Sequence, residues 1–399
     1  MKFRKSICII ILAIMAICGC KSKKTEAVKT AGVTDIEITI GSSCALGGHA
    51  SFLGTQTIHG SLAYINEINE NGGVQGRKIK LIHYDDEYDP SKTVANTQRL
   101  INVDKVFALF DYVGTPTSIK IIDIVHQAKT PLLGLFTGSE QLRTPFRPYI
   151  FNVRDSYYAE AEGAVAYFVD KLGLKKIAVM YQEDAFGLAV LTGVQLALQR
   201  RDLSTASTAT FIRGTMEIEK PLQIIKRSEA EAVIMAGTYS PLAKYIKKSN
   251  DSGFLPYFHT VSFVGSEAFA KELVQTQDVD ASQYEKIIVT QVVPSPFTEN
   301  LPAVREFSAL FKKYFPNEAP NYVALEGFIN AKVLVKALEK TGRDLTRNGF
   351  IEALESMENQ DFGIGKTISY SVLDHEGLDG IYYSRLSPEN KGSFTIFQP

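Results

Sequence analysis

Between residues 38 and 90 the hydrophobic pattern changes period twice. Ile38 and Ile40 alternate with polar neighbours, as one face of a strand does. Glycines 41, 47, 48 and 54 then punctuate a loop. From Thr55 the apolar residues Ile58, Leu62 and Ile65 fall at i, i+4 and i+7, a single helical stripe. Gly72-Gly73 ends that helix, because glycine accepts the left-handed conformation past a helix terminus without a Cβ clash. Alternation returns over 78–84. The stretch predicts strand, loop, helix, strand. Its loop joins the carboxyl end of one strand to the amino end of one helix. Backbone N–H groups and the positive helix end gather there, which suits a small polar or anionic ligand.

The same alternation continues along the chain. Asp89-Pro90 opens a helix carrying Val94, Leu100 and Ile101, with Asp as N-cap and Pro at the first helical position. Strands are predicted over 106–110 and 131–136, an extended segment over 149–153, and polar loops at 112–117 (Thr115 as N-cap) and 137–140. The cycle restarts with a helix from about Tyr158, then strands over 176–181, 208–212, 232–237 and 257–262 separated by helical patterns. A strand over 287–293, helices over 302–315, 322–341 and 345–357, and a strand-rich tail complete it. Alternating strands and helices in two sets predict an α/β protein.

The amino end reads differently. Lys2, Arg4 and Lys5 precede an apolar run over 6–18 that is shorter than the roughly 20 residues needed to span a bilayer. This is the pattern of a secretory leader. Ile17-Cys18-Gly19-Cys20 resembles a bacterial lipobox, which implies cleavage before Cys20 and its acylation; the competing reading is an uncleaved anchor or a buried amino-terminal helix. Residues 20–34 are polar and Lys-rich and read as a tether between lipid and domain.

Loss of residues 1–19 removes three basic and no acidic side chains, so the formal charge moves from −1 to −4. No basic face suggests nucleic-acid binding. Of four cysteines only Cys20 and Cys44 lie beyond residue 19, and acylation of Cys20 leaves Cys44 without a disulfide partner. A chain this long buries a sufficient core without one. The histidines are scattered without ligand spacing, and no metal or cofactor is expected. Asp85-Asp86-Glu87 reads as a metal cluster or, in preference, as a solvated turn. No GxGxxG loop or GxSxG elbow is present. Gly365-Lys366-Thr367 ends like a phosphate loop, but Gln360 stands where its first glycine belongs.

Several of these motifs together carry a resemblance: the polar loop ending in two glycines, then SLAYINEINENGG, then GRKIKLIHYDDEYDP. The run resembles the type I periplasmic solute-binding proteins of ABC transporters, leucine/isoleucine/valine-binding group, and the likeness extends over nearly the whole chain after the leader. It implies two similar lobes, each a mostly parallel sheet flanked by helices, joined by three crossing strands. The crossings are expected near 151–155, 289–294 and within 362–369. Lobe 1 is then 35–152 plus 293–361, and lobe 2 is 153–292 plus 362–399. The implied function is capture of a small ligand, an amino acid or related carboxylate or amide, in the cleft between the lobes. Its partners are the permease subunits of an ABC importer and, through the lipid anchor, the outer face of a membrane. Two other readings stay open: a ligand-sensing subunit of the same fold signalling to a membrane partner, and an unrecognised α/β enzyme.

In open α/β sheets ligands bind beyond the carboxyl ends of the strands. The loops there offer Ser42, Ser43, Thr115, Thr117, Thr137, Gly138 and Ser139, hydroxyls and amides fit for a carboxylate. The same hydroxyls are also the ordinary caps of helices. The resemblance assigns carboxylate binding to Thr115, Thr117, Thr137 and Ser139, and ring walls to Phe186 and Tyr239. Phe52 and Phe263 are further candidates for the wall. The family's ammonium-binding acid has no counterpart in the loop 262–266, which starts at Ser262 and meets its first acid only at Glu267. Either Glu183, Asp184 or Glu326 substitutes, or the ligand lacks an α-ammonium.

Overall fold

The computed structural model describes residues 30–298, 300–387 and 392–399. The expected leader, Cys20 and most of the tether lie outside them. Fourteen strands alternate with twelve helices among the described residues. The first half runs β1 (Glu37–Cys44), α1 (Ser51–Glu70), β2 (Lys78–Asp85), α2 (Pro90–Asn102), β3 (Ala108–Phe110), α3 (Thr115–Ser118), α4 (Ile122–Ala128), β4 (Leu132–Leu133) and β5 (Ile150–Phe151). Then follow α5 (Tyr157–Val165), β6 (Ile177–Gln182), α6 (Ala185–Gln199), β7 (Ser207–Phe211), α7 (Glu219–Lys226), β8 (Ala232–Ala236), α8 (Tyr239–Asp251), β9 (Tyr257–Thr260), α9 (Ser266–Lys271) and β10 (Ile287–Gln291). The chain finishes with α10 (Pro302–Tyr314), α11 (Tyr322–Thr341), α12 (Arg347–Glu355), β11 (Gln360–Asp361), β12 (Thr367–Ile368), β13 (Tyr382–Ser387) and β14 (Ser393–Phe397).

The strands form two main sheets, one per lobe. The first has the order β2-β1-β3-β4-β5 and is parallel throughout. The second has the order β14-β13-β10-β9-β8-β6-β7, parallel except where β13 and β14 add antiparallel strands at one edge. Both therefore aim the carboxyl ends of their parallel strands at loops that can hold a ligand.

Local chemistry explains the element ends. Asp89 caps α2, accepting from the Ser91 and Lys92 amides with Pro90 at the first turn. Helix α1 starts at Ser51, four residues before its apolar stripe becomes regular, and β1 runs on to Cys44, so the loop between them is short. Thr115 is the first residue of α3 and not its cap; Gly114 takes the cap position at φ 100°. Residues Phe362, Ile364, Ile368, Tyr370 and Leu378 bury in the core of the first lobe. The chain thus rejoins the second sheet only at β13, later than the 362–369 segment that the resemblance implied.

Helices α1 and α11 cross with their backbones nearly touching. A Cβ at Gly60 would stand 1.8 Å from the Ala324 carbonyl oxygen, and one at Gly327 2.1 Å from that of Thr57. The Ser61 hydroxyl donates to the Gly327 carbonyl at 2.8 Å. Neither backbone can yield without shifting its helix. Gly60→Ala is therefore expected to lower stability by about 1–3 kcal/mol, as overpacking does. Urea unfolding checks this, and an unchanged midpoint would mean that the two helices part without cost.

Each lobe has its own apolar core, and a further cluster is shared. It joins Leu53, Tyr88 and Phe136 of the first lobe to Tyr157, Phe186 and Phe263 of the second. The lobes are closed on one another.

Candidate functional site

The candidate site lies where loops at the strand ends of the two lobes meet. In the first lobe, the acidic turn after β2 does the positioning; Asp85 and Glu87 are exposed, as expected of a solvated turn, but the residue between them is not. Asp86 is fully buried. Its carboxylate accepts from the Ser43 hydroxyl at 2.8 Å, the Thr93 hydroxyl at 2.9 Å and the Tyr88 amide at 3.0 Å. Burial raises its pKa to about 6 against the pull of those bonds. Asp85 accepts from the Leu46 and Gly47 amides and so ties down the loop after β1. Glu87 and Tyr88 both take left-handed backbone, φ 50° and 63°. This turn carries the Tyr88 ring inward, where it lies 5.9 Å from Phe263 of the opposite lobe.

The loops after β3 and β4 meet side chain to side chain. The Thr115 and Thr137 hydroxyls bond each other at 2.6 Å. Thr117 is committed to its own turn, donating to the Val113 and Gly114 carbonyls. Gly138 lies against Tyr157: its carbonyl accepts the Tyr157 amide at 2.7 Å, and a Cβ would come within 2.6 Å of that nitrogen. Ser139 is fully buried and its hydroxyl has no hydrogen-bond partner. Ser43 is engaged by Asp86 and by the Asn96 amide.

The second lobe brings rings. Phe263 stands 4.6 Å from Phe186, 5.6 Å from Phe136 and 5.9 Å from Tyr88, centroid to centroid. Tyr157 stands 5.2 Å from Phe186. Tyr239 is half-buried at the lip, with its ring edge-on to Phe52 at 6.3 Å across the two lobes. The Tyr88 and Tyr157 hydroxyls are buried without a hydrogen bond of good geometry, although Gln182 and Thr137 lie beside them. Burial above all pushes the Tyr157 phenol up to about 12 and raises that of Tyr88 well above its ordinary value.

The acids considered as ammonium partners are placed otherwise. Glu183 is exposed. Asp184 caps α6, accepting from the Phe186 amide at 3.0 Å and the Gly187 amide at 3.1 Å, and it also takes the Gln182 side-chain amide. Glu267 accepts the Tyr322 amide at 3.2 Å, so a carboxylate of one lobe caps a helix of the other. Glu326 faces Arg154 at 3.6 Å. Arg154 is buried on the crossing segment between the lobes, bonded to Ser262 and to Glu160, with the Phe136 ring 4.9 Å from its guanidinium carbon. Burial works against its charge, but Glu326 and Glu160 outweigh that and hold its pKa above the ordinary value. Ser262 serves this ion cluster: its amide and hydroxyl both donate to Glu160, at 2.7 Å and 2.9 Å.

Sequence reasoning passed over Tyr88, Tyr157 and Arg154. Tyr88 sits inside the quoted DDEYDP motif, and that motif was the available signal. Tyr157 opens a helix, and Arg154 lies on an extended crossing; neither position has a local pattern that marks it.

This two-lobed arrangement has known relatives. The sequence profile of the family described as periplasmic binding protein matches residues 37–391. Leu/Ile/Val-binding protein homolog 7 of Brucella abortus is 23% identical over 341 residues, 83% of each chain. The crystal structure of a possible leucine/isoleucine/valine-binding protein from Rhodopirellula baltica superposes with a TM-score of 0.85 at 31% identity, covering 94% of this chain and 98% of that one. A fatty acid ABC transporter substrate-binding protein from Thermomonospora curvata shares the fold, with a TM-score of 0.83 at 21% identity and 93% coverage of each chain. With two lobes packed on one another, each built on a largely parallel sheet, the chain belongs to the periplasmic binding protein family, of the type I, Leu/Ile/Val-binding kind.

Proposed function

We propose that this protein is a lipid-anchored, extracytoplasmic receptor that captures a small carboxylate- or amide-bearing solute between its lobes and hands it to an ABC importer without turning it over. The observation that carries the reading is the buried Ser139 hydroxyl, which has no hydrogen-bond partner, together with the buried Tyr88 and Tyr157 hydroxyls, whose neighbours Gln182 and Thr137 form no well-aligned bond to them, beside the Thr115–Thr137 pair. Buried polar groups are almost always bonded, so those left over in a folded chain call for a partner from outside it. The Cys20 lipobox supports the anchor, and the family supports the importer.

Lobe closure is the mechanism. Ligand favours the closed form because only there do both lobes contact it. A change from 1:99 to 99:1 requires roughly 5.5 kcal/mol of differential binding, and a micromolar ligand binds with about 8 kcal/mol in total. A thermal-shift screen of the full chain against branched-chain and aromatic amino acids, keto acids, aromatic carboxylates, short amides and nucleobases tests the reading. At least one compound is expected to raise the melting temperature. No response across the panel would sink capture of these classes.

Tyr239→Ala is expected to weaken binding of that compound about tenfold while leaving the melting temperature of the free protein nearly unchanged, since Tyr239 is only half-buried at the lip. Unchanged affinity in calorimetry would remove Tyr239 from the site.

A further inference from the structure

Resting on that reading, we infer that one end of the cleft is a second polar subsite, built from both lobes, that takes a neutral hydrogen-bonding group of the ligand, a hydroxyl or a carboxamide. Strands β2 and β1 stand at one edge of the first sheet, and β6 and β7 at one edge of the second. The residues at the carboxyl ends of these four strands come together. His49 follows β1, Tyr88 follows β2, Gln182 ends β6, and Arg213 and Gly214 follow β7. The Arg213 guanidinium carbon lies 5.6 Å from the centre of the Tyr88 ring, across the lobes. The His49 ring stands edge-on to Tyr88 at 5.5 Å, and a Cβ on Gly214 would lie 3.5 Å from the His49 ring.

These groups keep unused hydrogen-bonding capacity. The Gln182 side-chain nitrogen donates to Asp184, but its oxygen is buried without a partner. The Tyr88 hydroxyl, buried beside Gln182, forms no well-aligned bond to it. His49 Nε2 is also buried and unbonded. Burial first, and then Arg213, lower the His49 pKa, so the ring is neutral near pH 7. The Arg213 side chain is 29% exposed, and the Asp184 oxygen that faces it is 4.0 Å away, beyond a hydrogen bond. Buried polar groups are almost always bonded, so a cluster of them with capacity to spare calls for a partner. Donors on Arg213 and Tyr88 stand with an acceptor on Gln182, which suits a group that both accepts and donates. The charges disfavour a second anion: Asp184 already faces Arg213, whose charge also acts on Asp89. Beyond Tyr88 the wall turns apolar, with the Phe263 ring 5.9 Å away. The subsite therefore reads one polar group on an otherwise apolar body.

Calorimetric titration of the full chain with matched compounds tests this: tyrosine against phenylalanine, 4-hydroxyphenylpyruvate against phenylpyruvate, and glutamine against norvaline and glutamate. The member with the neutral polar end is expected to bind at least about tenfold more tightly in one or more sets, because a site built to bond such a group leaves its own polar groups unpaired when the group is missing. Arg213→Met and Tyr88→Phe each remove part of the subsite and are expected to shrink that preference to about threefold or less. Melting curves show that both variants fold, and the part-exposed Arg213 serves alone if Tyr88→Phe does not. Equal or tighter binding of the plain member in every set overturns the inference while capture in the cleft stands. Tighter binding of glutamate than of glutamine overturns the neutral class. A preference that survives the substitutions places recognition elsewhere and overturns the subsite. Absence of binding by every compound overturns the inference as well, and the broader screen above then decides on capture itself.

Discussion

Replacing Arg154 by methionine should cost about 3–5 kcal/mol of stability, the scale on which breaking a buried ion pair from one side destabilises a protein. The side chain has no exposed surface, and neither has Glu160, while Glu326 is 4% exposed. Methionine fills much of the volume but removes the cation that Glu160 and Glu326 share, leaving only the more distant Arg143 to act on Glu326. Arg154 also bonds to Ser262 and packs on Phe136, so its loss loosens contacts from both lobes at once. Urea unfolding measures the effect. Adding Glu326→Gln to Arg154→Met should recover part of the loss, because it removes one of the stranded charges, and residues in contact couple rather than add. A loss below about 1 kcal/mol for the single variant would mean that the carboxylates neutralise or reach water at little cost.

The second large effect is on the pH dependence of stability. Burial first of all lifts the Glu326 carboxyl from 4.5 to about 7; Glu160 adds to the rise, and Arg154 and Arg143 oppose it. Burial first, and the Glu326 charge last, also raise the buried Asp111 carboxyl, against its bonds to Ser61 and Asn330. The folded chain thus keeps a proton that the unfolded chain releases between those two values. Stability falls as pH rises through that window, and the cost is complete above about pH 7. Its size is about 3 kcal/mol, at roughly 1.4 kcal/mol for each pH unit between the two values. Glu267, raised to about 7, and Asp86, raised to about 6, contribute slopes of the same sign. Glu326→Gln should therefore flatten the profile without abolishing it. The check is the unfolding free energy of both proteins at about pH 5 and about pH 8. Equal differences for wild type and variant would show that Glu326 is not the titrating group.

Much of the scaffold was readable because its signals are local. The Asp89-Pro90 helix start, the 322–341 helix and the successive strand-to-helix loops each depend on neighbours within a few residues. The site was readable only in part, because what makes it a site is contact between segments far apart in the chain. Arg154 meets Ser262, which is 108 residues away. Glu326 is buried on a helix whose pattern gives no sign of the arginine opposite. Phe263 stood out as one candidate wall residue among four, with nothing to show that it is the ring about which the others gather. Asp86 shows the converse error. Three acidic residues after a strand look like a solvated turn, and nothing nearby reveals that Ser43 and Thr93 will enclose the middle one.

The apolar cluster shared by the lobes has a thermodynamic consequence. Tyr88 and Phe136 cover Phe186 and Phe263 only while the lobes are together. Parting them would expose those faces to water, and newly hydrated apolar surface raises the heat capacity. Closure is therefore a step with a negative heat-capacity change. A ligand that drives closure should show a binding enthalpy that becomes more favourable as temperature rises, more steeply than the ligand's own small surface would account for.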